Sequence, residues 1–171
     1  MLPPAKFRGR YVRPKTILAA TMAVGSLLAV ASPASAAAFS FTTIDVPGAI
    51  PGSTRAGGIN NSGQIVGSFV AGATTHGFLD TGGSFTTIDV HGASGAGTVA
   101  SGINDAGQIV GYFNDGTFDH GFLDTGGSFT IIDVPGASFT TAEGINNAGQ
   151  IVGTSESSFA VAHGFLATPV P

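Results

Sequence analysis

Apolar residues in this chain fall in short alternating blocks and never in a helical rhythm. Past Ala38, no window of about eleven residues or more places them 3.6 apart. The blocks are FTTIDV at 41–46, QIVGSF at 64–69 and HGFLD at 76–80, and each then recurs further along. They are β-branched and aromatic, which suits strands and not helices. Between them lie Asn-, Asp- and Gly-rich links. In Asn60-Asn61-Ser62-Gly63 the Asn side chains suit Asx turns, and Gly63 suits the left-handed position of a bulged hairpin loop. Asp80-Thr81-Gly82-Gly83 predicts a second tight turn.

Alternation along one strand shows what covers it. In Gln108–Phe113, Ile109 and Phe113 point one way while Val110 and Tyr112 point the other. In the later FTIIDV block, Ile132 and Val134 share one face, and Phe129 and Ile131 the other. Apolar groups on both faces predict small sheets covered on both sides, as in stacked blades.

The blocks repeat as sets. GINNSGQIVG begins at Gly58, GINDAGQIVG at Gly102 and GINNAGQIVG at Gly144, 44 and then 42 residues apart. The FTTIDV-type blocks begin at Phe41, Phe85 and Phe129, and the HGFL blocks at His76, His120 and His163. The fold expected is all-β: three four-stranded antiparallel units of about 44 residues, near 41–84, 85–128 and 129–171, in a propeller-like array. A β-trefoil or β-prism-like three-fold body is the alternative. Propellers typically have four to eight blades, so three units could also pair as a homodimer or remain an open arc. The first FTTIDV block has no preceding GIN–HGFL set, and the last set has no FTTIDV after it. If the ends meet, that first strand completes the last sheet.

The motifs GIN-x-x-GQIVG, HGFL and FTTIDVPGA resemble those of the HAF-repeat family of extracellular bacterial proteins. The resemblance covers about Phe39 to Leu166. One departure is that Gly77, Gly121 and Gly164 stand where the family's name has alanine. The resemblance implies an exported β-repeat fold and no particular activity. The end Thr168–Pro171 resembles the start of a PEP-CTERM sorting tail, but lacks the Glu-Pro, apolar helix and basic cluster that would complete one.

The first 36 residues read as a signal peptide. Lys6, Arg8, Arg10, Arg13 and Lys15 precede an apolar run from Ile17 to Ala31, and Ala34-Ser35-Ala36 offers small residues for cleavage after Ala36. The run is shorter than the roughly 20 residues that span a bilayer. The expected product is a single β-repeat domain, 37–171, secreted or periplasmic. Its charge differs sharply from that of the whole chain. Arg55 alone then faces ten acidic residues, a formal charge of −9. That excludes a basic nucleic-acid face, and it makes anionic membrane surfaces poor partners once the leader is gone. Cysteine is absent, so no disulfide braces the fold.

Candidate chemistry is sparse. His76, His120 and His163 could converge on a metal such as zinc, or make one structural hydrogen bond per unit; the second reading is preferred. Asp45, Asp89 and Asp133 occupy one equivalent position each and suit turn-holding. Asn61, Asp105 and Asn147 could offer oxygens to calcium, but no calcium-loop motif occurs and no cofactor is predicted. The one loop that departs from its sister units is Asn114–Asp119, so Asp115, Asp119 and His120 are the candidate metal or functional residues. Gly92–Ala96 misses the nucleophile-elbow pattern at its last position, and no catalytic residue is assigned. The expectation is a non-enzymatic binding or structural module whose partner is an extracellular macromolecule or a second copy of itself. The alternative is an extracellular polysaccharide-active hydrolase using loop carboxylates.

Overall fold

A computed structural model describes residues 38–94, 97–158 and 161–170. The leader expected over 1–36, part of the Gly92–Ala96 loop and Pro171 lie outside them. Contacts divide the chain into Met1–Ser40 and Phe41–Pro171, and the second unit holds every strand described. Among the described residues there is no helix. The strands are β1 (Arg55–Ile59), β2 (Ile65–Ala71), β3 (Thr74–Thr81), β4 (Ser84–Ile88), β5 (Thr98–Ile103), β6 (Ile109–Asn114), β7 (Asp119–Thr125), β8 (Ser128–Ile132), β9 (Phe139–Ile145), β10 (Ile151–Glu156) and β11 (Ala162–Ala167).

They form three antiparallel sheets in simple up-and-down order: β1-β2-β3-β4, β5-β6-β7-β8 and β9-β10-β11. Each GIN–GQIVG stretch is a hairpin. In the second, Asn104 Oδ1 accepts the backbone N–H groups of Ala106 (3.1 Å) and Gln108 (3.0 Å), and Gly107 takes φ 77°. The Asx turn and left-handed glycine read from the sequence are thus both formed. The Gly82-Gly83 turn is closed by Asp80 Oδ1, which accepts the Gly83 N–H at 2.7 Å.

Each complete sheet ends on its FTTIDV-type strand, so the sheets are offset from the repeat boundaries near 41, 85 and 129, in the phase that the unmatched first and last blocks imply. One finding differs from the expected pattern: among the described residues the third sheet has three strands, not four. Phe41–Val46 has strand composition but is not a strand, because no HGFL strand precedes it to pair with. It lies instead against the first sheet, where Val46 is buried beside Phe69 and Phe78 with Ile44 packed alongside.

The sheets stack in chain order, propeller-like, with β5 against β1, β2 and β3, and β9 against β5, β6 and β7. Among the described residues the series does not close, and its three-fold repetition also fits the trefoil- or prism-like alternative. Stacking explains the two-sided apolar pattern. Val66 of the first sheet and Val110 of the second are both 0% exposed, while Val152, their counterpart in the third, is 50% exposed. Covering such a side chain is worth about 1.5–3 kcal/mol, so the interfaces between sheets carry much of the stability.

The glycine that closes each GQIVG block is fixed by packing. A Cβ on Gly111 would collide with the Val99 carbonyl and lie 2.9 Å from the Phe122 ring, which is fully buried. Gly107 has open space around it and is held to glycine by its backbone angle alone. Gly111→Ala should therefore cost about 3 kcal/mol or more by overpacking, against about 1 kcal/mol of left-handed strain for Gly107→Ala. Urea unfolding midpoints of the two variants check the order. Equal losses would contradict it.

Candidate functional site

Strand register brings together residues that the sequence leaves apart. Gly77 pairs with Ile88, which sets His76 beside Asp89, the residue after β4. His76 Nδ1 lies 2.9 and 3.0 Å from the two Asp89 carboxylate oxygens. The second sheet repeats this, with His120 Nδ1 2.7 Å from Asp133 Oδ2. Each imidazole also packs on the neighbouring strand's aromatic ring, Phe69 or Phe113, with centroids 5.4 Å apart. In each complete sheet the histidine thus holds the aspartate that follows the last strand. Asp89 and Asp133 hold histidines as well as standing beside turns. His163 and Asp45, the remaining members of the two series, are both exposed and have no side-chain hydrogen bond among the described residues.

The Asn114–Asp119 loop is organised by its own side chains. Asn114 Oδ1 accepts the Gly116 N–H at 2.8 Å, and Asp115 Oδ1 accepts those of Thr117 (2.8 Å) and Phe118 (2.9 Å). Asn114 Nδ2 donates to Asp119 Oδ1 at 2.8 Å. His120 Nε2 meets Asp115 Oδ2 at 3.3 Å, so this one imidazole bridges two carboxylates. The bond to Asp133, and then that to Asp115, raises the His120 pKa above its ordinary value against the opposing effect of burial. The N–H donors of Phe118 and Thr117 lower that of Asp115. Asp115 and His120 are therefore in contact, while Asp119 is turned to Asn114. A small recess of about 130 Å³ beside them is lined by Asp119, His120 and Asp133. Among the described residues, no group of three or more His, Asp or Glu side chains is placed to hold a metal ion.

The turn tips form a row. Asp105 accepts the Asn61 backbone N–H (2.9 Å), Asn61 Nδ2 (2.7 Å) and Asn147 Nδ2 (2.7 Å), and its own N–H donates to Asn147 Oδ1 at 3.0 Å. Those donors, the Asn61 N–H foremost, hold the Asp105 pKa below its ordinary value. Of the oxygens considered for calcium, those of Asp105 and Asn147 accept N–H groups from the adjoining units.

One grouping has no clear mark in the sequence. A groove of about 390 Å³ at the second and third sheets is lined by Asp119, Glu143 and Glu156, with Phe139, Thr141 and Thr154. Thr154 Oγ1 donates to Glu143 Oε1 at 3.0 Å. Burial first, then the charges of Asp119 and Glu143, raises the Tyr112 pKa. The signal lay in the repeat alignment. Glu143 stands where the other units have Gly57 and Ser101, and Glu156 where they have Val70 and Asn114.

No protein-family model matches this chain, and no curated protein is significantly similar to it.

The His120 bridge predicts a pH signature. Its raised pKa means the bridge contributes fully below the unfolded histidine value of about 6.5, and that contribution is lost as pH rises through the raised folded value. The lowered Asp115 pKa means its share is present above about 4 and is lost as pH falls through the folded value. The difference in thermal midpoint between the parent and His120→Gln should therefore be largest between about pH 4 and 6.5. A difference flat from pH 4 to 9 would contradict the bridge.

Proposed function

We propose that this protein is an exported, non-enzymatic β-repeat module of the HAF-repeat kind, with a binding or structural role outside the cytoplasm. The observation that carries the reading is how the chemistry-bearing side chains are used. His76 and His120 hold Asp89 and Asp133 at equivalent positions, and Asp105 ties together turns from three units. Groups bound to their own framework at equivalent positions of the two complete sheets read as architectural. The leader-like N-terminus and the repeated GIN–GQIVG and HGFL motifs support the export and family parts of the reading. With a formal charge of −9 after leader removal, the surface suits cations or a cationic partner better than nucleic acid.

A hydrolase acting on extracellular polysaccharide is the second reading, favoured by the groove that Asp119, Glu143 and Glu156 line together. Reducing-end release from a panel of soluble glycans separates the two. The binding or structural reading predicts no turnover by the parent protein. Turnover abolished by Asp119→Asn or Glu143→Gln, with the circular dichroism unchanged, would overturn it.

A further inference from the structure

The stack has two bare ends, and they complement each other in shape and bonding. Between adjacent sheets, one covers its neighbour with alanine and isoleucine from its first strand and first hairpin. Ala100 and Ile103 are 1% and 6% exposed against the first sheet, and Ala142 is 0% exposed against the second. Their counterparts in the first sheet are Ala56, which is exposed, and Ile59, 66% exposed. At the other end the covered face is missing its cover, with Val152 50% and Leu166 62% exposed. The bare face of the third sheet is thus the kind that the second sheet presents to the third, and the part of the first sheet left bare beside Phe41–Val46 is the kind that covers it.

Polar groups follow the same direction. Asn60 Nδ2 donates to the Asn104 carbonyl at 3.1 Å, and Asn104 Nδ2 to the Asn146 carbonyl at 3.2 Å. Among the described residues, Asn146 Nδ2 has only its own Gln150 Oε1, and the Asn60 carbonyl receives no donor from another sheet.

The third bare feature is a sheet edge. β3 and β7 are each flanked by a fourth strand, but among the described residues nothing pairs with the outer edge of β11. Phe41–Asp45 has the sequence of that missing strand. Ile44 and Val46 already lie on the first sheet, much as Ile88 and Val90 lie in the core shared with the second. Carrying over the β3–β4 register sets Ile44 opposite Gly164, Thr43 opposite Phe165, Thr42 opposite Leu166 and Phe41 opposite Ala167. It also sets Asp45 beside His163, the two unpaired members of the histidine–aspartate series.

We propose that two copies of this chain join head to tail: Phe41–Asp45 of each copy adds to β11 of the other, and the first sheet of each covers the third sheet of the other. Such a contact is heterologous, and it leaves no bare end only if it closes into a ring. Two copies give six sheets, within the usual range for radially stacked sheets, whereas three copies give nine. Closure would pair both open edges and cover all four bare faces. The inference concerns this framework and does not depend on what the loops bind.

The chain lacks cysteine, so disulfide trapping reads the contact without background. Thr42→Cys and Leu166→Cys sit opposite each other in the carried-over register and at exposed positions that the fold of one copy does not use. Protein produced from the full chain, measured by native mass spectrometry, should have twice the mass of one processed copy. Mixing the two single-cysteine variants under mild oxidation should give a covalent pair containing one of each. Leu166→Asp should return a single-copy mass with unchanged circular dichroism. A single-copy mass for the parent would overturn the proposal. So would a disulfide within one copy of the doubly substituted chain, or an assembly larger than two.

Discussion

A four-stranded sheet of about 35 residues that is apolar on both faces cannot stand alone in water, and the rest of this structure follows from that constraint. Phe78 and Phe122 fill one side of their sheets, while Val66 and Val110 lie on the other, and all four are fully buried. Backbone hydrogen bonds hold each sheet together, but only the next sheet in the chain can cover its second face. Asn104 joins these two levels. Its Oδ1 accepts two N–H groups of its own hairpin, and its Nδ2 donates to Gln108 Oε1 and to the carbonyl of Asn146 in the adjoining unit. The side chain that shapes the turn is also the one that fastens the stack.

The same economy leaves few groups for chemistry. Histidine, asparagine and aspartate, the residues most often recruited to sites, are largely taken up by the framework here, the histidines and their aspartates in the two complete sheets and the asparagines in all three hairpins. Residues outside this system are those that break the repeat: the Asn114–Asp119 loop, and Glu143 and Glu156 in the third unit. They gather near one groove around Asp119.

Much of the fold was legible in the sequence because its signals are local. Alternating apolar blocks marked strands, Asn-x-x-Gly marked hairpins, and the 44-residue spacing marked units. Two-sided apolarity predicted stacked sheets. The His76–Asp89 pair was not legible, since its members lie 13 residues apart and meet only through the β3–β4 register. Neither was the acidic groove, because Asp119 comes from one sheet and Glu143 and Glu156 from the next. Both are products of tertiary placement. Even so, comparing the units position by position would have flagged Glu143 and Glu156 as departures. The fate of Phe41–Val46 was a further limit: composition marked a strand, but a strand requires a neighbour to bond.

The central claim is that the repeated asparagine fastens one unit to the next. Asn104→Asp tests it most directly, because the change keeps the oxygen that shapes the turn and removes the Nδ2 donor that reaches Asn146 and Gln108. Urea unfolding at pH 7 and fixed protein concentration should show a loss of about 2–3 kcal/mol, since the substitution strands part-buried acceptors and sets a carboxylate, at a buried position, against them. A stability within about 0.5 kcal/mol of the parent would contradict the account.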